Sequence, residues 1–312
     1  MFVLVWLSGC VAQQTGRLLE APPASLPARA ELGNVPYYAQ QAHQCGPATL
    51  AMTLGWSGLH FTPEQLEPEV YIPGKEGSLQ PEMIAAARRH GRLAYLLQPS
   101  LADLLAEVAA GHPVIVLQNL ALSWYPIWHY AVVIGYDLDQ RTVTLYSGPD
   151  ESRQTPISTF EYTWARSGYW ALLTLPPGEL PRTASEERYL ESALALEQTG
   201  QLQAAATSYR AALGLWPQSE AARIGLGNSY YAMGKLADAE AAFRQASRDH
   251  PQSGIAFNNL AQTCADEGKY TEALAAARRA VELGGRLADT FRQTLADIQA
   301  TIQAKKVKPA VR

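Results

Sequence analysis

Residues 35–52 read VPYYAQQAHQCGPATLAM, and this stretch decides the fold of the first half of the chain. The extended start, VPYY, is followed by a polar loop. The segment CGPATLAMTLGWSG then predicts a helix that begins at Cys45 and ends at a glycine. Pro47 suits the first helical turn, where its missing N–H costs nothing. Cys45 is therefore predicted at a helix N-terminus, where partial positive charge favours thiolate over thiol.

The residues that follow this helix have a mixed pattern. Segments 79–90 and 100–110 are predicted to be helices, and apolar runs at 93–97, 113–118, 130–136, 142–147 and 169–175 are predicted to be strands. One helix at the start and an antiparallel sheet afterwards predict an α+β domain, which we assign to residues 35–178.

His129 is the histidine best placed to work with Cys45. His129 lies 84 residues after Cys45 and directly precedes the apolar run Tyr130–Tyr136. A polar ring is therefore predicted at the start of a buried strand. A nucleophilic thiol needs a base to take its proton, and a paired histidine lowers its pKa further. The two residues therefore predict a catalytic pair.

VPYYAQQAHQCGPATLAM followed by HYAVVIGYD resembles the bacteriocin-processing, double-glycine-specific cysteine peptidases and their secreted relatives. The resemblance covers residues 33–175 and implies a papain-like cysteine peptidase fold that acts on peptide or protein substrates. It also implies a glutamine that donates to the oxyanion together with the backbone N–H of Cys45. Gln40 is the closest match, with Gln41 and Gln44 as rivals.

The third catalytic residue is open at this stage. Members of the family carry an aspartate at the end of the next strand, whereas this chain has TVTLYSGPD there. Ser147 occupies the aligned place and Asp150 follows three residues later. Asp150 reaches the histidine from the turn, or Ser147 or Asn119 orients the ring, or no residue does.

The N-terminus resembles a bacterial lipoprotein signal. Residues 2–7 (FVLVWL) lead into Leu7-Ser8-Gly9-Cys10, which is similar to a lipobox, although no Lys or Arg precedes the apolar run. We expect residues 1–10 to be the signal segment, Cys10 to carry lipid, and residues 11–34 to be a tether. Val11 after the cysteine resembles sorting to the outer membrane, which implies the periplasmic face in a Gram-negative cell.

The C-terminal part repeats with a period of 34. Gly200, Gly234 and Gly268 have this spacing, as do alanines and prolines at Ala205, Ala239, Ala273, Ala212, Ala246, Ala280, Pro217 and Pro251. This is the tetratricopeptide pattern of paired helices with a glycine turn. We predict repeats at 186–219, 220–253 and 254–287 and a capping helix, so that the array spans residues 186–304.

Within the array, Tyr209 and Phe243 are expected to fill the gap where helices cross. Cys264 is expected to be a core residue. Asn228, Asn258 and Asn259 either line a groove for a protein partner or bond between helices.

Bulk properties narrow the classes of function. The net charge of −4 gives no reason to expect nucleic acid as a partner, and three widely spaced cysteines form neither a disulfide framework nor a zinc pattern. No metal or organic cofactor is expected. Residues 72–78 are expected to form a loop over the cleft. The aromatic residues around His129 (Trp124, Tyr125, Trp128 and Tyr130) either wall the cleft or cap the sheet end.

Three functions are consistent with the sequence. The first is an envelope thiol peptidase whose repeats dock a substrate or partner. The second is acyl transfer by the same Cys45–His129 pair to another acceptor. The third is a non-catalytic envelope binding or scaffold lipoprotein that has lost the third catalytic residue.

Overall fold

A computed structural model describes residues 12–40 and 44–307, which divide into two compact units at the boundary between Arg188 and Tyr189. Cys10, and with it the predicted signal segment, lies outside the described residues. So do Gln41 and the basic end of the chain after residue 307. Among the described residues, the helices lack the combination of length and hydrophobicity that a bilayer-spanning segment requires.

The first unit is an α+β domain, as the sequence predicts. Its helices are α1 (Gln13–Glu20), α2 (Cys45–Trp56), α3 (Pro63–Val70), α4 (Gln80–Arg89), α5 (Leu101–Ala109) and α6 (Ile157–Ala165). Its strands are β1 (Arg29–Glu31), β2 (Tyr71–Ile72), β3 (Gly77–Ser78), β4 (Leu93–Leu96), β5 (Val114–Asn119), β6 (Trp128–Asp137), β7 (Thr142–Ser147), β8 (Asp150–Pro156) and β9 (Ala171–Leu175).

An antiparallel sheet in the order β4-β9-β5-β6-β7-β8 forms the centre of this unit, with β1 also paired to β6. Every residue of β5 and most of β6 are buried, as expected of strands covered on both faces. Helix α2 is buried from Gly46 to Leu54 and packs on the sheet through Val132 and Ile134. The sheet therefore fixes α2, and with it Cys45, against β6.

Strand β8 and the short elements were not predicted. The sequence of β8, DESRQTP, is polar because β8 is an exposed edge strand that contributes little to the core. Helix α3 begins with a capping box in which the N–H of Thr62 donates to Gln65 Oε1 at 2.9 Å.

Residues 12–34 are not the free tether that their composition predicted. The backbone N–H groups of Gln14 and Thr15, at the start of α1, donate to the buried carboxylate of Glu161 at 3.0 and 2.6 Å. The Gln14 side chain in turn accepts from the N–H of Leu101 and so satisfies the first turn of α5. These long-range hydrogen bonds join residues 12–20 to the domain. Amino-acid composition gives no information about such bonds.

A buried ion pair holds the chain that leaves β9. Glu107 is fully buried, and its carboxylate lies 2.7 Å from His112 Nδ1 and accepts from the N–H groups of Arg182 and Thr183 at 3.0 and 2.7 Å. His112 Nε2 lies 3.0 Å from Glu179. Burial lowers the pKa of His112, but the two carboxylates outweigh burial and raise it to about 9.

We expect Glu107→Gln to destabilise the protein by about 3–5 kcal/mol, because it removes the buried counter-charge of His112 and leaves only the more exposed Glu179. The raised pKa of His112 means that this stabilisation is full below pH 6.5 and is lost as pH rises through about 9. Burial raises the pKa of Glu107, but its bonds from His112 and Thr183 hold that pKa below 4.5, so stability is also lost in acid. Thermal unfolding at pH 6 and pH 9.5 measures the difference. A variant that loses as much stability as the parent between these values would contradict the assignment.

The second unit is all helical. Its helices are α7 (Glu186–Gln198), α8 (Leu202–Leu215), α9 (Glu220–Ala232), α10 (Leu236–Asp249), α11 (Gly254–Asp266), α12 (Tyr270–Leu283) and α13 (Ala288–Val307). Gly200, Gly234 and Gly268 adopt positive φ angles of 78°, 72° and 77° in the turns between paired helices. The periodic glycines therefore mark the turns, as predicted.

The helices of this unit approach closely at two further glycines. A Cβ on Gly225 would lie 2.3 Å from the Tyr209 ring, and one on Gly227 would lie 2.4 Å from the Phe243 ring. Tyr209 and Phe243 thus fill the crossings, as the sequence predicts, but only because glycine faces each ring. Cys264 is fully buried, which confirms its place in the core.

Gly227→Ala is expected to cost about 1–3 kcal/mol, because the added methyl group overlaps the Phe243 ring. Gly214→Ala is the matched control, since Gly214 lies in α8 and a methyl group added there would meet nothing within 4 Å. There alanine should stabilise by about 0.5–1 kcal/mol through helix propensity. Chemical denaturation of the full chain compares the two. Equal effects would show that close packing at Gly227 is not what the repeat requires.

Candidate active site

Cys45 is the first residue of α2, and its thiol lies beside the start of β6. Burial raises the pKa of the Cys45 thiol, while the backbone N–H groups of Tyr130, Gly46 and Cys45 itself act in the opposite direction without cancelling it. The N–H groups at the helix N-terminus thus lower the pKa of Cys45 as expected, but the predicted net lowering does not occur. Burial, which a helix-start argument does not include, dominates.

His129 lies in β6 opposite Gln118 of β5. Its Nε2 is 2.8 Å from Ser147 Oγ, at the end of the neighbouring strand β7. Burial and the charge of Arg153 lower the pKa of His129 to about 4. At neutral pH the ring is therefore uncharged, and the resting pair is a thiol and a neutral imidazole.

Gln40 joins the cysteine loop to the turn that follows β7. Its N–H donates to the carbonyl of Gly148 at 3.0 Å, and its Oε1 accepts from the N–H of Gly148 at 2.9 Å. Its Nε2 donates to the carbonyl of Tyr130 at 3.3 Å. The side chain of its rival Gln44 points to Glu67 instead, with Nε2 3.3 Å from Oε2.

Cys45, His129 and Gln40 line one cavity of about 770 Å³. The floor and walls also include Tyr130, Gly148 and residues 75–80, which belong to the β2–β3 hairpin and the start of α4. The expectation that residues 72–78 lie over the cleft is thus confirmed for the residues that line it. The space is sufficient for several residues of an extended peptide.

The structure separates the candidates for the third residue. Ser147 is buried and touches His129, whereas Asp150 is exposed and pairs with Ser147 across the β7–β8 turn. Asn119 is occupied elsewhere, since its Oδ1 accepts from the N–H groups of Ala121 and Ile127 at 3.0 Å each. Asp150 is therefore not the hydrogen-bond partner of the ring, and that position belongs to Ser147.

The sequence analysis gave Gly46 no role of its own and named Ser78 only as part of the loop expected over the cleft. A Cβ on Gly46 would lie 2.2 Å from Ser78 Oγ, so only glycine after Cys45 lets the hairpin settle against the start of α2. The Cys-Gly-Pro sequence contains that signal, but the identity of the facing residue depends on the fold. Ser78 Oγ and the Tyr130 hydroxyl are buried without a hydrogen-bond partner among the described residues.

The aromatic residues around His129 do not form one cluster. Tyr130 is in the core and packs edge-on against Trp170 at 5.6 Å between ring centroids. Trp128 lines the cavity, while Trp124 and Tyr125 are exposed outside it. The cleft-wall interpretation thus holds for Trp128 and Tyr130 and not for Trp124 and Tyr125.

One group of potential metal ligands occurs among the described residues. Donor atoms of Glu240, Cys264 and Glu272 lie within 4.8 Å of one another. Arg244 bonds to both carboxylates and Lys269 pairs with Glu240, so their negative charge is already neutralised. This arrangement is an ion-pair network between repeats and does not suit a cation.

Comparisons with known proteins agree with the two units. Residues 32–172 match the model of the Peptidase C39-like family, and residues 186–219 and 224–288 match tetratricopeptide repeat models. The chain therefore consists of a peptidase C39-like domain followed by tetratricopeptide repeats. No curated protein matches it.

Among solved structures, a chain from Bacillus anthracis assigned to the C39-like peptidases is 22% identical, with a TM-score of 0.42 over 48% of this chain and 98% of that one. The type III secretion translocator chaperone SycD of Yersinia enterocolitica is 20% identical, with a TM-score of 0.36 over 38% and 85%. The Sgt2 tetratricopeptide domain of Aspergillus fumigatus is 18% identical, with a TM-score of 0.39 over 44% and 91%.

Ser147→Asp is expected to raise the pKa of His129 well above 4, because a carboxylate beside Nε2 stabilises the imidazolium. NMR titration of the His129 ring measures the shift. Asp150→Asn is the matched control and should leave the titration nearly unchanged, since Asp150 does not touch the ring. A large downward shift in the Asp150 variant would instead make that residue the partner of His129.

Proposed function

We propose that this protein is a cell-envelope thiol peptidase that cleaves peptide bonds through Cys45 and His129. The observation that supports the proposal is one cavity lined by Cys45 at the start of a helix, His129 near the start of a strand, and Gln40. Those three groups supply a nucleophile, a base and an oxyanion donor, which are the minimum that acyl transfer from a peptide needs.

The neutral state of the pair sets the order of proton transfers. His129 takes the proton of Cys45 as sulfur attacks the peptide carbonyl, and it then gives that proton to the leaving amine. Water hydrolyses the resulting thioester and releases the second product. Burial keeps both Cys45 and His129 neutral at rest. The thiolate–imidazolium ion pair therefore forms only in the complex that reacts.

We assign stabilisation of the tetrahedral intermediate to Gln40. One proton of its Nε2 is engaged by the Tyr130 carbonyl, and the amide has a second. With the backbone N–H of Cys45, that second proton supplies the oxyanion donors. Ser147 positions His129 through Nε2, which leaves Nδ1 as the nitrogen that serves Cys45.

The tetratricopeptide repeats support a role in protein–protein interaction, and we propose that they dock a protein substrate or a partner. Of the polar residues expected in their groove, Asn259 donates to Asn228 at 3.1 Å and so bonds between helices. We further propose that lipid on Cys10 holds the protein at the cell envelope, on the periplasmic face of the outer membrane in a Gram-negative cell.

Two features of the site favour a second function, that of a non-catalytic binding protein. The partner of His129 is a serine, and both members of the pair are uncharged at rest, which weakens the nucleophile. A non-catalytic envelope binding protein, using the same cleft to hold a peptide end, would tolerate both features. Acyl transfer would use the same Cys45 thioester. It differs from hydrolysis only in that another acceptor, rather than water, attacks the thioester.

The test combines cleavage and labelling. The full chain is incubated with a peptide mixture from denatured proteins, and new peptide ends are counted by mass spectrometry. We expect Cys45→Ala to abolish them, Gln40→Ala to reduce their rate about 10²–10³-fold, and Cys264→Ala to have no effect. Iodoacetamide should label Cys45 far faster than the fully buried Cys264, and His129→Ala should slow that labelling.

Absence of new ends, together with equally slow labelling of both cysteines, would overturn the peptidase and leave the binding protein. New ends that persist in Cys45→Ala would assign the cleavage to a contaminant. Transfer of an acyl group to an added amine in preference to water would favour the transferase.

A further inference from the structure

The loop that connects β5 to β6 presents apolar side chains to solvent. Fourteen large hydrophobic residues are exposed in the described part of the chain, and six of them fall within residues 120–128, which we call the apolar loop. Trp124 is 81% exposed and Tyr125 67% exposed. Such a concentration on one loop marks an interaction site, because single exposed residues are the norm elsewhere.

The conformation of the apolar loop does not depend on its apolar side chains. Asn119 accepts from the N–H groups of Ala121 and Ile127 and donates to the carbonyl of Leu122 at 3.4 Å. Arg166 donates to the carbonyls of Asn119 and Ala121 at 3.2 and 2.6 Å. These hydrogen bonds stabilise the conformation of the apolar loop, so its apolar side chains remain available for contact with a partner.

The composition of the apolar loop suits a lipid interface. Its sequence, LALSWYPIW, has no charged residue, and it combines leucine and isoleucine with tryptophan and tyrosine. Tryptophan and tyrosine concentrate at the headgroup level of membranes, where an apolar ring and a polar edge are both satisfied. The cation at its base, Arg166, is exposed and suits a phosphate group.

The position of the apolar loop relates it to the proposed lipid anchor. Glu161 of α6 receives the N–H groups of Gln14 and Thr15, and Arg166 at the end of the same helix holds the apolar loop. These two points of α6 are about 8 Å apart along the helix axis. Cys10 is four residues before Gln14, so the chain can place it at most about 14 Å away.

We propose that the apolar loop inserts into the surface of the membrane that carries the lipid on Cys10. This inference rests on the anchor proposed above. A lipid chain alone limits distance from the bilayer but leaves the domain free to rotate, whereas a second contact fixes its orientation. Trp128 and Arg166 also line the active-site cavity, so the cleft opens at the membrane surface. Its substrates are then peptides or protein segments that lie at that surface.

The test uses the full chain without lipid, as Cys10→Ser combined with Cys45→Ala, so that neither lipidation nor catalysis contributes. Ser123→Cys in the exposed tip receives an environment-sensitive thiol dye, and the remaining Cys264 is fully buried. On addition of phosphatidylcholine vesicles we expect the dye emission to shift to the blue and to be quenched by brominated lipid. Replacement of Trp124 and Tyr125 by serine should abolish both effects.

Gln218→Cys is the matched control, since Gln218 is exposed on a turn of the second unit and should show no shift. No shift at Ser123, or an equal shift at both positions, overturns the proposal. A blue shift without vesicles that grows with protein concentration identifies a second copy as the occupant and also overturns it. Peptide cleavage in solution is measured separately on the variant with serine at Trp124 and Tyr125 and with Cys45 retained. This measurement distinguishes loss of membrane insertion from loss of peptidase activity.

Discussion

The two hydrogen bonds between Gln40 and Gly148 are the interaction on which the site depends. They join the loop before α2 to the turn after β7, two segments that are 108 residues apart in sequence. The first segment leads to Cys45, the proposed nucleophile, and contains Gln40, the proposed oxyanion donor; the second follows Ser147, which contacts the His129 ring. Because Gly148 adopts a positive φ of 67°, its N–H and carbonyl can both face Gln40 at the tight β7–β8 turn.

Sequence reasoning placed residues correctly where they lie near the end of an element. Cys45 is the first residue of α2 and His129 is the second residue of β6, and the 34-residue period located the helical unit in the same way. It left the third residue open because Ser147 and Asp150 flank one hairpin turn, and only the register of β7 against β8 decides which of them reaches the ring. The prediction of a tether before residue 35 was wrong for a related reason. The N–H of Thr15 donates to the buried carboxylate of Glu161, which lies 146 residues later in the chain.

The state of charge of the pair could not be predicted from the sequence. A helix N-terminus and a neighbouring imidazole both favour thiolate, and neither argument includes the cost of burying charge. In the fold, α2 is buried almost from its first residue and the hairpin closes over Gly46, so desolvation acts on Cys45 and His129 together. Both groups respond by favouring their neutral forms, and burial of the thiol is a property of packing rather than of local sequence.

This constraint connects the chemistry to the environment of the cleft. In the proposed mechanism, the neutral pair forms its ion pair only when an approaching carbonyl can take the developing charge, so that peptide binding and proton transfer are coupled. The serine on Nε2 orients the ring without stabilising a resting imidazolium, as a carboxylate would. In the proposed mechanism the thiolate is therefore a minor form at rest, and Cys45 reaches its full reactivity only when a peptide fills the cavity. For the proposed envelope peptidase, proximity to other envelope proteins alone would therefore not cause their cleavage.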